Sequence, residues 1–164
     1  MTAQQPPSAP DLTDLLPGTW EIDRRVTDHA AGAAGTFAGM ARWIPLTTAD
    51  LLAGVEPGGP VLAYHEQGEL RFCAHRGPAS RSLIYLCRPD GTADVRFADG
   101  REFYGLDPRP GRWRARHDCG QDVYLLEGRL AAGPVIDERW RVRGPGKDYE
   151  IMTRLVRVET GAWS

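Results

Sequence analysis

The chain has 164 residues, 41% of them hydrophobic, and 20 Lys and Arg stand against 22 Asp and Glu for a formal net charge of -2. That length supports one well-formed core and is short for two, so a single domain is expected. The balanced charge gives no basic footprint for nucleic acid or for an anionic membrane, and neither is expected as a partner.

The opening "MTAQQPPSAPDLTDLLPG" has no basic n-region and no apolar run. It does not read as a signal peptide, and no later stretch has the length of a membrane-spanning helix. A soluble, cytoplasmic protein is the expectation. Residues 1–11 are polar and proline-rich and predict a mobile tail, with the folded domain over 12–160. Within "APDLTDLLPG", Asp11 or Thr13 can cap a short helical turn before a leucine pair. From Gly18 onward the chain falls into short runs separated by Gly, Pro and Asp: "GTWEIDRRV", "GTFAGMARWIP", "PVLAYHEQGELRF", "SRSLIYLCR", "ADVRF", "REFYGLD", "GRWRARH", "DVYLLEGRL", "VIDERWRVRG" and "YEIMTRLVRVE". Turn signals recur roughly every ten residues, and the Asp-Gly pairs of "PDGT" and "ADGR" suit tight hairpins. The Ala/Gly-rich "HAAGAAGTFAGM" (29–40) reads as a flexible lid or, more plainly, as a long loop.

These runs predict an all-β domain, a single antiparallel β-barrel of about eight to ten strands, with a sandwich as the other architecture of that strand number. A closed barrel removes sheet edges and leaves room for a ligand. Residues two apart on a strand share a face. Trp20, Ile22, Arg24 and Val26 therefore point inward together, carrying an arginine into the interior. In "RWRARHDC", Trp113, Ala115, His117 and Cys119 oppose Arg112, Arg114, Arg116 and Asp118, which sends His117 and Cys119 inward. In "SRSLIYLC" the set of Arg81, Leu83, Tyr85 and Cys87 competes with Ser82, Ile84 and Leu86, and alternation does not choose.

"LPGTW", followed by a short strand, and an arginine in the last strand ("TRLVR", Arg154 or Arg157) look like the calycin arrangement. The resemblance implies that Trp20 packs under that arginine at the barrel floor. Across "GTWEIDR", "YHEQGELRF", "FADGREFYGLD", "HDCGQDVY" and "RVRGPGKDYEIMTRLVR" the chain resembles DUF6314, an uncharacterised group of small lipocalin-like proteins. Where that family usually carries Phe-His after Asp-Gly-Arg, this chain has Phe103-Tyr104. The resemblance implies a fold and no reaction.

Charged groups inside a barrel cost several kcal/mol unless paired, so inward ones mark either a structural network or a site. Arg24, Glu66, Arg81, Asp122 and Tyr124 are such candidates, with His117. As an acid/base set, His117 would move the proton, Asp122 would orient it, and Tyr124 with Arg24 would steady a developing anion. Tyr85, Tyr104 and Cys119 join them as ligand contacts, and Lys147 and Tyr149, emerging from the "RGPGKDYE" turn, would attract an acidic group at the rim. The expected function is binding of a small organic molecule in the barrel, with cofactor-independent isomerisation, cyclisation or hydrolysis as its sharper form. A carrier or sensor without turnover, and a filled structural or partner-binding barrel, are the alternatives, and a homodimer stays open.

No cofactor is expected. Haem would need one inward histidine, for which His117 is the candidate. Cys73 with His75 and His117 with Cys119 share strand faces, but the spacing matches no common zinc motif. The three cysteines (Cys73, Cys87, Cys119), odd in number and without a CxxC, predict reduced thiols.

Overall fold

The fold was obtained as a computed structural model, which describes residues 11–47 and 58–158. A four-residue helix, α1 (Leu12–Leu15), is capped by Asp11, whose carboxylate accepts from the Thr13 amide, and it leads directly into the sheet. Ten strands follow: β1 (Gly18–Asp28), β2 (Ala33–Leu46), β3 (Val61–Phe72), β4 (His75–Cys87), β5 (Ala93–Phe97), β6 (Glu102–Leu106), β7 (Arg112–Cys119), β8 (Asp122–Ala131), β9 (Val135–Gly144) and β10 (Lys147–Arg157). All pair antiparallel in one sheet of order β6-β5-β4-β3-β2-β1-β10-β9-β8-β7. The two halves of the chain meet where β1 pairs with β10, from Trp20 opposite Arg157 to Asp28 opposite Tyr149. The expected mobile tail lies outside the described residues except for Asp11.

The sheet rolls into a nearly closed barrel. β6 and β7 end the hydrogen-bonded order without pairing to each other, and rings join them instead: Phe103 lies 5.1 Å from His117, edge to face, and Phe97 lies 5.7 Å from it. A second gap follows from unequal strand lengths. β5 pairs only with residues 83–87 of β4, so residues 75–82 have a neighbour on the β3 side alone.

Three expectations needed correction. The proposed lid is a strand: the chain turns over four residues after Asp28, whose Oδ1 accepts from the amides of Ala30 and Ala31, and then pairs along β1 from Ala33. Its glycines serve close packing, since a Cβ at Gly39 would overlap the β3 backbone at Gln67. Cys119 ends β7 exposed, because the chain turns at Gly120 (φ 61°) before its side chain reaches the interior. Barrel closure by hydrogen bonds is incomplete, as described above.

The strand ends opposite the hairpin tips form the base. Trp20 is fully buried there, its indole N–H donates to the Leu16 carbonyl at 3.0 Å, and the Arg157 guanidinium lies 4.8 Å over its ring while donating to the Pro17 carbonyl. Arg157, and not Arg154, is therefore the arginine that covers Trp20. Trp43, Tyr64, Tyr85, Leu83, Val95, Leu106, Leu126 and Leu155 fill the space above it. Gly128 makes room for Trp113, whose indole a Cβ there would overlap.

Candidate functional site

Inward-facing residues divide into two layers along the barrel axis. Most of those near the base are almost wholly excluded from water, with Leu15 and Leu130 half-buried, whereas Leu70, Ala79, Phe97, Phe103, Ala115, Tyr124 and Ile151, nearer the hairpin tips, are all only half-buried. Side chains that point inward and still meet water show that solvent enters from the hairpin end. The charged residues lie where the two layers meet.

Arg24 and Glu66 form the tightest part of that boundary. β1 and β3 place them inward on either side of β2, and Arg24 donates from Nη1 and Nη2 to the two Glu66 oxygens at 2.7 and 2.9 Å. Its Nε donates to Thr153 Oγ1 at 3.0 Å, and Tyr64 donates its hydroxyl to Glu66 Oε2. Burial opposes ionisation of Glu66, but the Arg24 hydrogen bonds and the Arg81 charge outweigh it and hold the carboxyl below its ordinary range. Burial and the adjacent Glu66 push Tyr64 far above the usual phenol range. A bidentate, desolvated pair of this kind is fully satisfied, and it fixes three strands relative to one another.

Arg81 and Glu138 are different. Arg81, paired with Glu66 across the β3–β4 ladder, approaches its Oε1 no closer than 3.5 Å and makes no hydrogen bond among the described residues. Although it lies deep among protein atoms, 41% of its side-chain surface meets water, because the neighbouring stretch of β4 lacks β5 cover. Glu138, inward on β9 opposite Thr153, has neither a hydrogen bond nor an ion pair among the described residues. Burial raises its pKa, and the Arg81 and Arg24 charges only partly oppose the rise. Both residues line a narrow cleft of about 10 Å³, the scale of a single water, with Phe103, Trp140, Tyr85 and Tyr104. Burial raises the pKa values of the Tyr85 and Tyr104 phenols.

The sequence matches the family described as "Family of unknown function (DUF6314)" over residues 16–157. The chain belongs to that family. No curated protein matches it in sequence. Among solved structures, this DUF6314 barrel is similar to an S-type phycobiliprotein lyase, CPES from Guillardia theta, with a TM-score of 0.61 and 11% identity over 90% of each chain. It is also similar to a redesigned β-barrel, mFAP1, bound to DFHBI, with a TM-score of 0.45 and 15% identity over 90% of this chain and 100% of that one. The first likeness shows that the fold is an antiparallel β-barrel.

Within the DUF6314 barrel the expected site residues separate. Arg24, Glu66, Arg81, Tyr85 and Tyr104 converge on the boundary layer. His117 does face inward, but it sits higher, at the β6–β7 seam, among Phe97, Phe103 and Tyr124, and makes no hydrogen bond among the described residues. Tyr124 is its cross-strand partner. Asp122 is not brought to His117: at the β7–β8 hairpin tip it accepts from Lys147 Nζ at 2.7 Å. Lys147 is thereby occupied, and Tyr149 lies near the rim opposite Asp28. Cys73, His75 and Cys119 are exposed, and no group of three or more His, Cys, Asp or Glu side chains suited to a metal ion occurs among the described residues. No helix among the described residues is long and apolar enough to cross a membrane. Glu138 was missed in the sequence reading, although Ile136, Glu138, Trp140 and Val142 alternate with Asp137, Arg139, Arg141 and Arg143 as plainly as the strands that were used.

A much larger concavity lies on the outer face of the sheet. A twisted sheet is saddle-shaped, and here a trough of about 1300 Å³ crosses its outer face from β3 to β7. Its walls are mostly outward-facing arginines and carboxylates, such as Asp137, which accepts from both Arg129 and Arg154, and Arg24, Glu138 and Thr153 also border it. Most are exposed and paired with one another, which is how a solvated charged face is built.

Proposed function

We propose that this DUF6314 barrel is a receptacle for a small organic molecule that enters between the hairpin tips and rests on the boundary layer. The sharper form of the proposal is acid/base chemistry on that molecule, with Glu138 as the proton-exchanging group. The observation that carries it is Glu138 itself, a half-buried carboxyl with no hydrogen bond or ion pair among the described residues, beside a guanidinium that water can still reach. A purely structural network would pair these two groups with protein partners, as Arg24 and Glu66 are paired. A carboxyl whose pKa is raised by burial, beside a fixed positive charge, is suited to giving and taking a proton. The half-buried Leu70, Phe97, Phe103 and Tyr124 offer apolar contact above it.

This reading moves the proton-transfer role from His117 and Asp122 to Glu138, and leaves His117 and Tyr124 as walls of the mouth. The fold of a phycobiliprotein lyase is compatible with it, but the argument rests on the residues. The test is a fluorine NMR screen of the purified chain against fragments that span acids, bases and neutral compounds. Line broadening by at least one class, accompanied by a shift of the Trp140 indole signal, is the expected result. Should no fragment bind, or should binding perturb only the outer trough, the barrel is a filled scaffold and the proposal fails.

A further inference from the structure

We infer that the molecule held at the hairpin end carries a compact oxyanion, a carboxylate or its equivalent, and that this group docks on the guanidinium of Arg81. The inference rests on the receptacle reading above and deepens it. An arginine offers five N–H donors in a planar fork that matches an oxyanion in bidentate geometry. Arg24 uses three of its donor atoms on Glu66 and Thr153. Arg81 uses none, because Glu66 already receives both Arg24 amino groups and the Tyr64 hydroxyl and approaches Arg81 only at 3.5 Å. The Arg81 donors, which no protein group takes up among the described residues, face water over 41% of the side-chain surface and can be handed from water to a bidentate acceptor.

Charge points the same way. Two guanidiniums, Arg24 and Arg81, share one firmly ionised carboxylate, Glu66, so the boundary layer is short of one negative charge whenever Glu138 is protonated. A cationic ligand would be repelled by the uncovered guanidinium, and a neutral one would leave its donors unmatched. An oxyanion satisfies the fork, and it also favours the protonated form of Glu138, which can then donate a hydrogen bond to it. The apolar body of such a molecule fits the half-buried rings of Phe97, Phe103 and Tyr124, on the side left open where residues 75–82 of β4 have no partner. Lys147 does not compete, since Asp122 neutralises it at the rim.

Three probes of one shape decide the matter: 4-fluorobenzoate, 4-fluorobenzamide and 4-fluorobenzylamine, titrated against the full chain and followed by fluorine NMR. The expected result is benzoate binding roughly ten-fold or more tighter than the amide, as a charge-assisted bidentate contact should give. Arg81→Met should abolish that preference, Arg81→Lys should restore part of it, and Arg112→Ala in the outer trough should leave it unchanged, with near-ultraviolet circular dichroism confirming that each variant is folded. Equal binding of benzoate and amide by the unmodified chain overturns the inference without any variant. So does a preference that survives Arg81→Met or disappears in Arg112→Ala. If only neutral or basic fragments bind, the receptacle stands and the oxyanion falls; if no fragment of any class binds, both fall together.

Discussion

The base and the hairpin end of this barrel are built from the same ten strands and obey opposite rules. At the base, rings and aliphatic groups exclude water, and the polar atoms of Trp20 and Arg157 are matched to the Leu16 and Pro17 carbonyls, although the buried Trp43 and Trp113 indole N–H groups have no partner among the described residues. Toward the hairpin end, inward-facing side chains are half-exposed, and just below them Arg81 and Glu138 make no hydrogen bond among the described residues. The packed core and the proposed site thus occupy different levels of one interior, with the Arg24–Glu66 pair between them.

If that division is real, substitutions should lose force from the base upward. Trp20→Ala is expected to cost the most, about 3–5 kcal/mol for a large side chain removed from a closed core, measured by urea denaturation. Next is the boundary pair. Arg24→Met alone should cost about 3 kcal/mol by stranding Glu66, whereas the double variant Arg24→Met/Glu66→Leu should recover most of that loss, since a buried pair replaced by packed apolar groups is close to neutral. A double variant as unstable as the single one would show that the pair does more than satisfy itself.

The two boundary carboxyls should respond to pH in opposite senses. Glu66 has a lowered folded-state pKa, so its stabilisation is present above its ordinary value of 4.5 and is lost as pH falls through the lower folded value. Glu138 has a raised one, so the folded state retains its proton longer than the unfolded chain does, and stability falls as pH rises from 4.5 through the folded value. Glu138→Gln should therefore stabilise the protein at neutral pH and have little effect on it below that range. Parallel denaturation curves for the two proteins at every pH would refute this. The smallest effect is expected for His117→Ala, within about 1 kcal/mol, the scale of its ring contacts.

Much of this was legible wherever alternation was unambiguous. β1 and β7 each contain one strongly apolar set, so the inward positions of Arg24 and His117 could be read directly, and Gly18-Thr19-Trp20 announced the base. β4 could not be read that way because apolar residues occupy both of its faces near Leu83–Leu86, and only the pairing of Arg81 with Glu66 settles its direction. The choice between Arg154 and Arg157 likewise needed the β1–β10 register. Residues 33–40 looked like loop because small side chains give no alternation, although they suit a place where β2 and β3 backbones press together. Asp122 was misplaced by a different cause: alternation assigns a face but not a height, and the hairpin tip leaves its carboxylate to Lys147.

The uncovered stretch of β4 bears on how the protein behaves at high concentration. An unpaired strand edge invites another chain to add a strand of its own, which is a common beginning of aggregation. This edge carries Pro78 at its middle and Arg76 and Arg81 near its ends, and a proline is tolerated in a strand where its missing N–H faces away from the partner. The gap that admits solvent to the interior is thus poorly suited to recruiting a second molecule, and access for a ligand does not bring polymerisation with it.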